Sequence, residues 1–211
     1  MKLILTPAEK MLAAFLAFTV CLLGVRVAYT GTVMYMFYPW NLLLAIVPLF
    51  LSRRLRGAKH ITIASIFICA LWLLFFPNAP YLITDIFHFE KRPGVPQWFD
   101  LLLVLSAAWC GLLAGFISLN DVEKFLAAYS PRRWHWPLTV FLLFAASFGI
   151  YLGRYLRFNS WDIVTKPFAV AHAGFLFTFR PHEHIQGWSF CLACTAFLLL
   201  AYASIKKAVT Q

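Results

Sequence analysis

The sequence predicts an all-α integral membrane bundle of about six transmembrane helices, each near the ~20 residues that a bilayer crossing needs. Three observations predict it. Of 211 residues, 62% are hydrophobic. Only 12% are charged, about half the ~25% of a soluble domain and too few to dress a water-facing surface. The apolar residues fall in long runs, with most polar residues gathered beyond their ends. The formal net charge of +10 would suggest nucleic acid in a soluble protein. Here Lys and Arg sit in short loops between apolar runs, where they report topology, so the partner is the lipid bilayer and not nucleic acid.

The runs cover roughly residues 11–30, 33–51, 61–76, 99–119, 137–158 and 187–205. The first is interrupted early by Pro7, Glu9 and Lys10 and has no small-residue cleavage site after Gly24, so it reads as a span that stays. The second ends in Arg53, Arg54, Arg56 and Lys59, and this basic loop sets the orientation, with both termini cytoplasmic. Eleven of the 18 basic residues then lie inside, Lys2 and Lys207 among them, while Lys91 and Arg92 fall outside. Trp98, Trp161 and Trp188 ring the outer interface, and Trp134 and Trp136 the inner one. The stretch 167–179 is too short to cross and is hemmed by Lys166 and Arg180, so it reads as interfacial or half-inserted. All five cysteines lie inside apolar runs, which rules out a loop disulfide framework. No linker, low-complexity stretch or inverted repeat divides the chain, and a single domain over 1–211 is expected.

The third run ends in Pro77 and Pro80, which free the carbonyls of Leu73 and Phe76 and break the helix at the outer face, where Asn78 can cap the freed groups. If the chain continues as a helix, Thr84, Asp85 and His88 share one face. A carboxylate beside an imidazole orients a general base, so Asp85 and His88 are the catalytic candidates if the protein is an enzyme. The same pair offers two metal ligands, though no metal site is assigned. An amphipathic interfacial helix with its polar stripe toward headgroups accounts equally for the spacing.

The fourth run carries Ala107, Gly111 and Gly115, the fifth Ala145, Gly149 and Gly153, both at spacings of four. Such ladders let backbones approach closely in lipid, so the two helices are expected to pack antiparallel. Extended outward, the ladders reach Asp100 and Arg157, which are expected to form a structural ion pair. Arg154 shares a face with Arg157, and Asn159 and Asp162 follow as turn residues. Arginines among aromatics at an interface can clamp a phosphate, or simply snorkel to headgroups. The ligand-binding candidates are therefore Asn78, Tyr81, Arg154, Asn159 and Asp162. Asp85, His88 and Arg154 are expected to converge at the outer face.

Three segments, FPNAPYLITD at 76–85, WFD at 98–100 and FGIYLGRYLRFNSWD at 148–162, together resemble the bacterial membrane family known as domain of unknown function 1361. The resemblance runs from about Asn41 to Tyr202. It implies a polytopic protein of the bacterial cytoplasmic membrane, and no activity, substrate or cofactor.

Other motifs lead nowhere. His182-Glu183-His184-Ile185-Gln186 has Gln where a zinc protease needs its second His. Two classes of function remain. One is a binding, transport or assembly protein whose outer site holds a small anion or lipid headgroup. The other is a membrane-embedded enzyme that uses Asp85 and His88 as an acid/base pair on a lipid-linked or polar substrate.

Overall fold

Thr6 opens the first helix with a capping box: its hydroxyl accepts the Glu9 N–H at 3.3 Å while the Glu9 carboxylate accepts the Thr6 N–H at 2.8 Å. Pro7 suits the first turn, where an N–H would be orphaned anyway. This helix, α1 (Pro7–Thr30), stops at Gly31, whose φ of 63° is open to glycine without steric cost. The computed structural model describes residues 5–58, 60–90 and 94–210; Lys2, Lys59, Lys91 and Arg92, which the topology reading used, lie outside them. By its internal contacts the chain divides into two compact units, Met1–Ala128 and Tyr129–Gln211.

The first unit continues with α2 (Tyr38–Arg53), α3 (Ile63–Phe75), the one-turn α4 (Asn78–Tyr81), a 3-10 segment over Leu82–His88, and α5 (Gln97–Ala127). The second holds a 3-10 turn at Arg132–Trp134, α6 (His135–Arg154), α7 (Asp162–Thr165), α8 (Pro167–Phe179), a 3-10 turn at Pro181–His184, and α9 (Ile185–Thr210). Five helical stretches among the described residues are long and apolar enough to cross a membrane: α1, Ile63–His88, α5, Arg132–Arg154 and Pro181–Lys207. Side chains such as Ile63, 88% exposed, and Leu200, 72% exposed, face outward as lipid contacts would. The chain is a multi-pass, all-α membrane protein.

The run at 33–51 forms a helix of only 16 residues, about 24 Å of rise. It nevertheless covers the height of α1. Just before its start the Tyr35 ring lies under Arg26, 4.6 Å away, and at its end Arg53 reaches Glu9 at 2.9 Å. Helix α5 is the most enclosed of the long helices, with 67% of its apolar window buried against 33% or less in the others.

The proline break follows α3, which has only 13 residues, and packs against the middle of α5. Asn78 caps the Phe75 carbonyl at 2.9 Å, while the Phe76 carbonyl takes the Ala79 N–H at 3.1 Å. The α5 ladder serves this turn. A Cβ on Gly111 would collide with the Ala79 carbonyl oxygen, and one on Gly115 would stand 3.3 Å from the Ala79 Cβ. The close approach at Gly111 and Gly115 thus belongs to α4, where the sequence reading gave it to α6. The physical reason is local: Ala79 is small, and Pro77 and Pro80 carry no N–H to strand against a helix that offers no acceptor.

In the second unit α6 and α9 run past one another, joined by a buried bond from Thr195 Oγ1 to Ser147 Oγ at 3.1 Å. Both hydroxyls also return to carbonyls of their own helices, Ser147 to Leu143 and Thr195 to Cys191. The hydroxyl protons of Ser147 and Thr195 thus both find acceptors, as an apolar surrounding requires.

Candidate functional site

Charged side chains close both ends of the first unit. At one end Arg26 grips Asp100 bidentately, Nε to Oδ1 at 2.7 Å and Nη2 to Oδ2 at 3.1 Å, with both side chains 3% exposed or less. The Arg26 Nη1 donates to Thr32 at 3.1 Å. Both oxygens of Asp100 thus accept from Arg26, a partner the sequence reading did not give it, while Arg157 belongs to the second unit. Arg26 and Asp100 meet because α1 packs along α5, while the ladder meant to bring Arg157 in is occupied by Ala79.

At the other end Arg53 and Arg56 both donate to Glu9 Oε1 at 2.9 Å, and Arg56 Nε donates to Asp121 at 2.8 Å. Ser52 adds a bond to the same Asp121 oxygen at 3.2 Å. Burial opposes the charge on Arg56, but the bonds and fields of Asp121 and Glu9 outweigh it and hold its guanidinium above the usual range. Midway, Thr19 of α1 bonds Ser106 of α5 at 3.0 Å, beside the Cys110 sulfur at 3.5 Å.

Between these charged ends lies Asp85, 1% exposed, accepting the Asn41 amide at 3.2 Å. The segment around it is 3-10, so residues three apart eclipse. That keeps Asp85 and His88 on one edge and moves Thr84 off it; Thr84 Oγ1 donates instead to the Tyr81 carbonyl at 2.7 Å. His88 is exposed, and its ring meets Phe37 edge-on at 5.4 Å. Asn78 is engaged in capping, as its i−3 bond to Phe75 shows. Asn41 was missed from the sequence, where a lone amide in an apolar run was its only signal.

Arg154, Arg157, Asn159 and Asp162 belong to the second unit, and Asp85 and His88 to the first. Helix α6 ends in a wrapped turn in which the Phe158 N–H returns to the Leu152 carbonyl at 3.0 Å. Within it Arg157 holds φ at 59°, and it is the one non-glycine residue with positive φ among those described. The Asp162 carboxylate closes the next turn by accepting the Asn159 N–H at 2.7 Å and the Thr165 hydroxyl at 3.1 Å, with Lys166 Nζ at 3.7 Å. Arg157 and Asn159 are exposed, and Arg154 is half-buried.

The Asn159 N–H bond, helped by Thr165 and Lys166 against the cost of burial, holds the Asp162 carboxyl below its ordinary range. A group with a lowered folded value stabilises fully above its unfolded value, about 4, and loses that contribution as pH falls through the lowered one. Proteolysis within 155–166 should therefore be slow at neutral pH and accelerate only well into acid. Asp162→Asn should remove that acid dependence.

Among the described residues no three His, Cys, Asp or Glu side chains gather as metal ligands would. The family model described as "Protein of unknown function (DUF1361)" matches residues 40–201. No curated protein and no solved structure matches the chain. The match covers well over half of the sequence, and the chain belongs to the DUF1361 family.

Proposed function

We propose that this DUF1361 protein holds the phosphate of a lipid headgroup, or a small free anion of the same chemistry, at the 154–162 turn. The turn faces outward from the bacterial cytoplasmic membrane, with both chain termini in the cytoplasm. The role is one of binding, transport or assembly. The observation that carries this reading is the backbone of Arg157. A non-glycine residue in the left-handed region costs roughly 1–2 kcal/mol, and such strain persists where the surroundings impose it, often at a ligand clamp. The left-handed residue here also stops α6, with the Phe158 N–H returning to the Leu152 carbonyl, and an arginine stands where glycine would relieve the strain. Asp162 does not oppose an anion here, because its charge is engaged by Asn159, Thr165 and Lys166.

Arg157→Gly tests this cleanly, since glycine relieves the strain while removing the guanidinium. The expected result is equal or higher thermal stability, together with loss of the anionic phospholipid adducts seen by native mass spectrometry. Adducts that persist undiminished would sink the proposal.

A second reading, an enzyme with an Asp85–His88 acid/base pair, is favoured by the 3-10 stacking of a buried carboxylate and an exposed imidazole on one edge. His88→Ala in the same assay leaves adducts intact under the first reading. Under the second it leaves folding intact and abolishes turnover of a lipid-linked substrate.

The orientation is tested by cysteine accessibility in intact cells. Labels near Arg56 and Arg132 should be protected from outside, and labels near Trp161 reactive. Reactivity at Arg56 would invert the topology.

A further inference from the structure

We infer that α8 lies flat in the membrane interface on the side where α6 ends, holding the phospholipids of that leaflet with an aromatic stripe and a cation at each end. The inference does not depend on what the 154–162 turn binds. With 13 residues, α8 is about 20 Å long and cannot cross the ~30 Å hydrocarbon core.

Both of its ends are tied to the same membrane level. At the start, Lys166 Nζ stands 3.7 Å from Asp162, in the turn that closes the end of α6. In the last turn, the Phe177 carbonyl accepts the Trp188 indole N–H at 2.9 Å, and the Phe177 ring stacks on Trp188 with centroids 4.8 Å apart. Tyr151, near the end of α6, packs on the same ring at 5.4 Å. Gly187 makes the fit possible, because a Cβ there would stand 2.7 Å from the Tyr151 ring and 3.0 Å from that of Phe177. A helix held at both ends beside the end of α6 and the start of α9 lies across them.

Its two faces differ. Phe177 points inward and is 4% exposed. Phe168, His172, Phe175 and Phe179 follow one another at helical spacing on the opposite side. The three phenylalanines are 89%, 56% and 68% exposed, and the rings of Phe175 and Phe179 pack on each other at 4.6 Å. Such a stripe belongs in acyl chains, just below headgroup level. Lys166 and Arg180 flank it with side chains 64% and 56% exposed. Both helix ends therefore sit at phosphate depth, which a steeply inserted segment would not allow. With Arg154 and Arg157 the region has four cations against Asp162 and Glu183, which favours anionic headgroups.

The test is depth measurement by spin labels at 168, 172, 175 and 179 in phosphatidylcholine–phosphatidylglycerol nanodiscs. The labels are placed singly, with Cys21, Cys69 and Cys194 replaced by Ala. All four labels should report one shallow depth, accessible to oxygen and shielded from a water-soluble nickel relaxant. Depth rising steadily from 168 to 179, or nickel access at all four, would overturn the flat placement.

The Lys166→Gln/Arg180→Gln double variant should keep this depth profile. Its preference for phosphatidylglycerol over phosphatidylcholine in native mass spectrometry should fall several-fold, and an unchanged preference would remove the cations from the proposal. Because Arg157 is untouched in this variant, its result is separable from that of Arg157→Gly.

Discussion

Exchanging Arg26 for methionine should destabilise the folded protein by about 3–5 kcal/mol, the usual cost of stranding one charge of a buried pair. Asp100 is 2% exposed and receives two guanidinium bonds from Arg26, so nothing of equal strength replaces them. The loss should appear as a large fall in the midpoint of unfolding in detergent. The double variant Arg26→Met/Asp100→Leu should recover most of it, because an apolar pair of similar volume costs little in such a place. Arg157→Met is the control. If it, and not Arg26→Met, carries the loss, then the pairing of Asp100 is misassigned.

Replacing Gly111 by leucine should be nearly as damaging, at about 3 kcal/mol, the upper end of overpacking effects. The first atom of any side chain there meets the Ala79 carbonyl, which is backbone, and then Leu82 Cβ at 3.1 Å. Neither can swing aside as a flexible side chain would. Gly115→Ala meets the Ala79 methyl at 3.3 Å, with Pro80 and Phe76 at ordinary contact distances of 3.7 and 3.8 Å, and should cost much less. The injury at Gly111 should also spread outward along the chain. Amide exchange over residues 78–88 should accelerate as the Asp85 segment is pushed off α5. Unchanged exchange there, with stability intact, would show that α4 does not depend on the glycine.

The two cases also mark what the sequence could and could not convey. The long apolar runs announced the membrane helices because their signal is additive over some twenty residues. Asn78 was readable as a cap, though the carbonyl it takes is that of Phe75, three residues back, and not one of the two freed by the prolines. Gly111 and Gly115 announced that something approaches closely, but a small-residue ladder does not name its occupant, and Ala79 was as eligible as α6. Arg26 was similar: an arginine in an apolar run implies a buried acid, yet choosing Asp100 requires knowing that α1 lies along α5. Thr84 was misplaced for a different reason. The face shared with Asp85 depends on whether the turn is α or 3-10, and this one takes the tighter winding. Glu9, read as an interruption of the first run, is both the helix cap and the anchor of Arg53 and Arg56.

Asp100 and Asp121 stand on the same helix, each clamped by an arginine from a neighbour. About six turns of α5 separate them, roughly 31 Å of rise, close to the ~30 Å of a typical hydrocarbon core. Two charges riveted at fixed points on one rod make a ruler. Neither end can snorkel to follow the headgroups, because each carboxylate is already committed to its guanidinium. A thicker or thinner bilayer must therefore adapt to the protein, or the protein must tilt, at a cost of fractions of a kcal/mol for each Å of mismatch. The stability of this protein should accordingly peak in bilayers of one acyl-chain length and fall on either side of it. The clamps would then sort the chain toward membranes of matching thickness.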